Sequence, residues 1–248
     1  MRQLSPKDTI SRRVSLLQTI PLFTGLSLEA LETLASDFRL KTYGKNEIIL
    51  REGDRSRELY LILEGRVHIS KISPDGDESL IAIYAANDLI GEFAALDAQP
   101  RAATAKAIVP TTLLAMTQDK FVHHLRTIPD LALSLARLLV NKLRGTAVYA
   151  ELITHYDAAG RLLHILLLLN KQFGQEQEVG KRYVLDLSLN QTDLASLIGT
   201  RREWVNRILK DWRKRGLIEY HDGKIIILDL PSVEAERDSR IETNSNNW

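Results

Sequence analysis

The chain contains no cysteine in its 248 residues. That excludes a disulfide framework, a thiolate zinc site and a cysteine-ligated iron–sulfur cluster. Long hydrophobic runs are missing as well. The longest near-unbroken one, residues 162–169 around His164, is far too short to cross a bilayer. The polar start at residues 1–7 lacks the apolar core of a signal peptide. An excess of either charge is also absent: 33 basic and 32 acidic residues leave +1, so only the distribution of charge along the chain can speak of partners. No catalytic triad, paired-carboxylate cleft or nucleophile elbow is visible, and the expectation is a protein that is not an enzyme. What remains is 44% hydrophobic and 26% charged, a globular composition with length for one large domain or two modest ones. A cytoplasmic location and no membrane partner are the expectations.

Apolar residues from Leu17 to Phe38 recur at helical spacings, interrupted by Pro21 and Gly25, which predicts short helices. Short β-rich stretches follow at 48–50, 59–63, 66–72, 80–84 and 111–116, separated by glycines, a Pro74-Asp75-Gly76 turn and Asn87-Asp88. Strands of this length and spacing predict a small sandwich or barrel. Pro129 opens a helix to about Tyr156. In it Ala132, Ala136, Leu139, Leu143, Thr146, Ala150 and Ile153 fall at alternating four- and three-residue steps, a coiled-coil seam of about three heptads. The alternative is packing on the protein's own sandwich, which Leu131, Leu135 and Leu138 offer from a neighbouring face. A second helix-rich unit begins with an apolar helix over 157–173, then helices over 191–198 and about 201–215, then a hairpin of 217–220 and 224–228. The residues from Pro231 read as a polar, frayed tail.

Asn190 is placed as an N-cap with Asp193 in the first turn, and Gly199 permits a tight turn into the next helix. Thr200 to Glu203 fits a capping box. Val205, Ile208, Leu209 and Trp212 anchor one side, while Arg201, Arg202, Asn206, Arg207 and Lys210 lie toward the other. This is a helix–turn–helix pattern whose second helix enters the major groove of double-stranded DNA. Arg202, Glu203 and Arg207 are the expected base readers, and Asn190, Thr200, Arg201 and Lys210 the expected phosphate contacts. Residues 200–216 carry seven basic and two acidic side chains, net +5, so the rest of the chain sums to −4. The near-neutral total hides a localised basic footprint.

Residues 91–107, GEFAALDAQPRAATAKA, hold a second constellation. Gly91 allows close approach of a ligand, and free N–H groups at a following helix start suit a phosphate. Arg101 adds a fixed bidentate cation, and Glu92 is an acceptor for a sugar hydroxyl. Phosphate and ribose hydroxyl close together describe a cyclic nucleotide, although a Glu and an Arg nine apart also make an ordinary ion pair.

This stretch resembles the phosphate-binding cassette of cyclic-nucleotide-binding domains, and LYLILEGRVHIS (59–70) resembles their β-roll. LASLIGTRREWVNRILKDWRKRGLI (194–218) resembles the winged helix–turn–helix of the cyclic-AMP receptor protein family, which includes the fumarate–nitrate regulators. The likeness runs in the family's order from about Leu17 to Leu228. It implies an α+β fold: a cyclic-nucleotide-binding β-roll (jelly-roll-like) over 1–128, a long dimerisation helix over 129–156, a winged helix–turn–helix over 157–230 and a polar tail over 231–248. It also implies that Gly91 and Glu92 begin the cassette, with Glu92 on the ribose 2′-hydroxyl. Phe93 and Ala94 would offer backbone amides, and Arg101 would neutralise the cyclic phosphate. Ala102 stands where many bacterial members have serine; such an alanine accompanies cyclic-AMP sites in eukaryotic kinases. Thr146 falls on the adenine-contacting threonine, while Ala147 lacks the neighbouring hydroxyl that reaches the other protomer's ligand. Arg202, Glu203 and Arg207 fit the receptor-protein pattern R-E-x-x-x-R; Trp204 and Asn206 depart from it. The implied protein is a homodimeric transcription regulator controlled by cyclic AMP, with a palindromic DNA site and RNA polymerase as partners. The same regulator answering to another effector or none, and a cyclic-nucleotide module acting on a protein partner, are the alternatives.

Three features lead nowhere. GQEQEVGKR (174–182) lacks P-loop spacing and the following hydroxyl residue. Asn190-Gln191-Thr192 is a glycosylation sequon without secretion. His123-His124 has no second metal-ligand pair at a useful spacing.

Overall fold

A computed structural model of the chain describes residues 6–72, 76 and 78–240. The Pro74-Asp75 part of the expected turn, the first five residues and the Asn-rich end from residue 241 lie outside the described residues. The chain divides into two compact units inside the long helix. One holds the residues up to Leu143 apart from Ser79–Ile81, and the other holds those three and the residues from Arg144 on. No helix among the described residues is long and apolar enough to cross a membrane.

In the first unit, α1 (Pro6–Gln18), a 3-10 turn (Pro21–Phe23) and α2 (Leu28–Asp37) precede the sheets. Ser27 caps α2 by accepting from the Ala30 amide, and Arg13 closes its far end by donating to the carbonyls of Ala35 and Phe38. Then come β1 (Arg39–Tyr43), β2 (Ile48–Leu50), β3 (Leu59–Glu64), β4 (Arg66–Ile72), β5 (Glu78–Ala85), β6 (Leu89–Ile90), α3 (Glu92–Asp97), β7 (Thr104–Ala107), β8 (Thr111–Met116) and α4 (Gln118–Thr127). They form two four-stranded sheets, β1-β8-β3-β6 and β2-β7-β4-β5. The central strand β3 is apolar on both faces, and alternation sorts its residues. Tyr60 and Ile62 join Ile49, Val67, Ala105 and Leu113 between the sheets. Leu59 and Leu61 join Phe23, Leu34, Phe38 and Phe121 beneath the helices.

Helix α5 (Pro129–His155) sends Leu131 and Leu135 into that second core, with Leu138 and Leu139 packed against it. The neighbouring face therefore serves the protein's own sandwich, as the sequence allowed. The heptad seam is largely left over: Ala136, Leu143, Thr146, Ala150 and Ile153 are exposed, while Ala132 and Leu139 are half-buried.

The second unit continues with α6 (Ala158–Phe173), β9 (Gln175–Glu178), β10 (Arg182–Asp186), α7 (Gln191–Ile198), α8 (Arg202–Lys214), β11 (Ile218–His221), β12 (Lys224–Ile227) and α9 (Leu230–Asp238). One sheet in the order β11-β12-β10-β9 backs the helices. One expectation is corrected here, and a stretch for which the sequence predicted no element takes a structure. The GQEQEVGKR stretch is a hairpin, closed where the Glu176 carboxylate accepts from the Gly180 amide and the Tyr183 hydroxyl. The residues from Pro231 do not begin as a frayed tail. They continue α9, which buries Val233 fully and presents Glu236 to Arg215 and Arg240. One apolar anchor and an ion-pair chain hold a segment whose composition looks unattached.

On β4, His68 is half-buried, and its Nε2 is enclosed with no hydrogen-bond partner among the described residues. Burial, then Lys106, pushes its pKa down to about 4. The folded state thus resists protonation that the unfolded chain accepts near pH 6.5, and stability falls as pH drops through that window. Urea melts at pH 7 and pH 5 should show the wild type losing about 1–2 kcal/mol more than His68→Gln. An identical pH dependence in both would show that His68 is not the responsible group.

Candidate ligand site and nucleic-acid interface

The β6–α3 junction turns on Gly91, at φ +79. A Cβ there would lie 2.7 Å from Nη1 of Arg101 and 3.0 Å from the Glu58 carbonyl oxygen, so both conformation and space require glycine. Glu92 follows as the first residue of α3 and is 4% exposed; Arg101, on the loop into β7, is 3% exposed. The structure thus brings the two expected charges into one buried neighbourhood. Around it Ala94 is buried, while Phe93 and Ala102 are exposed.

Each charge is already supplied with protein partners, as buried charges must be. Arg101 Nη1 donates to the Gly91 carbonyl at 2.9 Å, Nη2 to the Glu58 carbonyl at 2.5 Å, and Nε to Ser56 Oγ at 3.1 Å. Its main chain is fixed too: the amide donates to Asp54 O, and the carbonyl accepts from Gly53 N. Burial lowers its pKa from the ordinary arginine value, and Tyr60 and Glu58 oppose that shift. A guanidinium has five N–H donors, so two lie beyond these three bonds.

Glu92 pairs with a residue that the sequence did not single out. Lys142 of α5 donates from Nζ to Glu92 Oε1 at 2.7 Å and to the Leu89 carbonyl at 2.9 Å, and stands 4.6 Å over the Tyr84 ring. Burial works against its charge, but the Glu92 carboxylate prevails and holds the amine above the ordinary lysine pKa. The available signal was periodicity. Lys142 occupies the next helical step after Leu131, Leu135 and Leu138, where an apolar residue would be expected. Thr146 lies on the part of α5 that belongs to the second unit, and is exposed.

In the second unit, Asn190 Oδ1 accepts from the amides of Thr192 and Asp193, and the Asp193 carboxylate accepts from the Asn190 amide. The capping box therefore sits at α7 and engages that face of the Asn190 side chain. The box expected from Thr200 to Glu203 does not form. Arg201 is the N-cap of α8, without a side-chain cap, because the Thr200 amide is drawn back to Ala195 O in the turn at Gly199, φ +63. From α8, Val205, Leu209 and Trp212 are buried; Arg202, Glu203, Trp204, Arg207 and Lys210 are exposed, as is Arg201. Thr200 and Asn206 are half-buried. The exposed face is a ready donor surface for phosphates and base edges.

Residues 40–127 match the family model described as the cyclic nucleotide-binding domain, and residues 160–236 match the Crp-like helix-turn-helix domain. The CRP-like cAMP-activated global transcriptional regulator of Mycobacterium tuberculosis is 29% identical over 208 residues, which is 84% of this chain and 92% of that protein. The cyclic AMP receptor protein of Thermus thermophilus is 29% identical over 214 residues, 86% of this chain and 95% of that one. A solved structure of the c-di-GMP-responsive global regulator of Xanthomonas campestris, 19% identical, shares the fold with a TM-score of 0.69 over 82% of this chain and 99% of its own.

Removing the cation that Glu92 depends on should be costly. Lys142→Met is expected to lower stability in urea melts by about 3–5 kcal/mol, because a buried carboxylate loses its counter-ion. Adding Glu92→Gln should recover much of the loss. A single-variant cost below about 1 kcal/mol would show that the pair is dispensable to the fold.

Proposed function

Since the chain belongs to the CRP/FNR family of transcription regulators, we propose that it is a homodimeric regulator whose DNA binding is controlled by cyclic AMP. The chain is a DNA-binding transcription regulator with a cyclic nucleotide-binding domain, not an enzyme. The observation that carries the finer reading is the burial of Arg101 and Glu92 together beside a glycine whose backbone admits no side chain.

In this reading Arg101 meets the cyclic phosphate with its remaining donors, Glu92 meets the ribose 2′-hydroxyl with its remaining oxygen, and Gly91, Phe93 and Ala94 line the approach. Ala102, with no hydroxyl, and the cyclic-AMP names of two relatives favour the adenine nucleotide; Thr146 is the adenine contact. The exposed seam of α5, with Leu143 69% and Ile153 49% exposed, supports pairing with a second copy. Two copies of α8 then read a palindromic site with half-sites about one turn apart, roughly 34 Å. Arg202, Glu203 and Arg207 contact bases, and Asn190, Thr200, Arg201 and Lys210 contact phosphates. Ligand acts by binding one of two dimer states better than the other. A cytoplasmic location and contact with RNA polymerase complete the proposal. The spans 1–128, 129–156 and 157–230 are its division of labour, with α9 attached to the last of them.

Calorimetric titration of the intact chain with cyclic AMP, cyclic GMP and cyclic di-GMP in parallel tests the ligand. Cyclic AMP should bind, and Arg101→Lys should weaken it by about 10- to 100-fold while the protein still melts cooperatively. Tighter binding of either other nucleotide would replace cyclic AMP, and silence with all three would remove the ligand. For the dimer, sedimentation should show wild-type dimers and Leu143→Glu monomers at the same concentration; an unshifted variant would dismiss the seam.

A further inference from the structure

Trp204 is 49% exposed on α8, beside a core face formed by Val205, Leu209 and Trp212. An indole that a helix leaves in solvent is not held there by burial. Its ring carries the Arg207 guanidinium, whose central carbon lies 4.3 Å from the indole centroid. Residues three apart on a helix are neighbours, so the backbone itself sets this stack. Arg207 has no ion pair among the described residues. The acid four residues on, Asp211, bonds Arg215 Nη1 at 3.3 Å instead. The indole also lines a cleft of about 390 Å³ with Thr200 and Ile208, which flank it on the helix and the preceding turn.

A guanidinium stacks through its face and donates through its edge. Trp204 therefore restrains the most rotamer-rich part of Arg207 without consuming a single N–H. An acid in the same place would restrain it by occupying the donors that base recognition needs. We propose that Trp204 is a positioning residue that holds Arg207 with its N–H fork free for the O6/N7 edge of a guanine in duplex DNA. This rests on the reading of Arg207 as a base contact. It makes the identity of residue 204 a determinant of sequence specificity rather than of general DNA affinity. The indole is uncharged, so it adds nothing to the salt-dependent part of binding.

The test uses the full chain with cyclic AMP and a duplex selected from a random pool by the wild type. Trp204→Ala should weaken the selected duplex by about 5- to 10-fold, leaving the scrambled duplex and the salt dependence unchanged. Trp204→Phe, which keeps a ring, should retain most of the affinity. In an Arg207→Ala background the Trp204→Ala loss should shrink to less than about 2-fold, because the two residues act as one unit. Additive losses, or equal losses on both duplexes, would overturn the proposal. The free protein supplies an independent readout: the Arg207 side-chain δ protons should be displaced upfield by the indole ring current and return on Trp204→Ala. Resonances at ordinary arginine positions in the wild type would overturn the stack whatever the DNA results. Failure of the wild type to enrich any duplex would instead overturn the base-contact reading, and the positioning role would fall with it.

Discussion

Charge buried under the cassette is the constraint from which the first unit's details follow. A carboxylate at Glu92 and a guanidinium at Arg101, each almost wholly removed from water, are tolerable only when every strong donor and acceptor around them is placed. Arg101 is satisfied mostly by main-chain carbonyls, which ties its geometry to the paths of β3 and the Gly91 turn. Gly91 in turn has room for hydrogen only, because the guanidinium occupies the space a side chain would take. Glu92 needs a cation, and the nearest element able to supply one from a rigid position is α5, through Lys142. The same helix that buries leucines beneath the sheet thus ends its contribution to the first unit with a buried ion pair. Packing and electrostatics share one helical stripe.

The second unit solves a different problem, that of ending short helices cleanly so that one of them can show its polar face. The reciprocal cap at Asn190 and Asp193 starts α7, and the left-handed Gly199 ends it. With α7 fixed, the buried face of α8 is oriented by Val205, Leu209 and Trp212, and the basic residues are left outside. The far end of α8 is tied down by charge. Arg215 meets Glu236 of α9, Glu236 meets Arg240, and Arg240 reaches Asp157, the N-cap of α6. The Arg215 hydrogen bond, against some burial, and then Arg240 hold the Glu236 carboxyl down at about 2, so this carboxylate stays charged at any physiological pH.

Much of this was legible from residues alone, and the boundary of legibility has a physical cause. Strands β2 and β4 and helix α7 carry strong local signals, runs of β-branched residues between glycines or a cap followed by periodic apolar residues, and they appear where the sequence placed them. The β9–β10 hairpin was not legible because its first strand, QEQE, is exposed and has no apolar alternation; its ladder is backbone bonding on the edge of a sheet. Helix α9 was missed for a related reason. Its attachment is one valine and two long-range ion pairs, Arg215–Glu236 and Arg240–Asp157, and pairs between residues as distant as Asp157 and Arg240 leave no mark on local pattern. At the candidate site, Gly91, Glu92 and Arg101 were readable because the turn, the acid and the arginine fall in one short stretch. Lys142 was not, since fifty residues separate it from its partner. The displaced cap at α8 shows local competition. Thr200 had a suitable hydroxyl, but its amide was already committed to closing the turn behind it.

The two units use arginine in opposite ways, and the contrast bears on what each can bind. Arg101 spends three of its five donors on the protein before any ligand arrives, so its position is fixed and a partner must match it. Recognition there is a matter of complementarity to a rigid, desolvated charge, which rewards a small ligand of defined shape. Arg202 and Lys210 on α8 stand in solvent, where charge attracts phosphates at a distance and side chains adjust to the surface they meet. Such a face gains affinity readily and specificity only where a side chain is restrained in advance. The +5 of residues 200–216 therefore accounts for attraction to a polyanion, while discrimination among sequences depends on the few positions whose geometry the helix itself imposes.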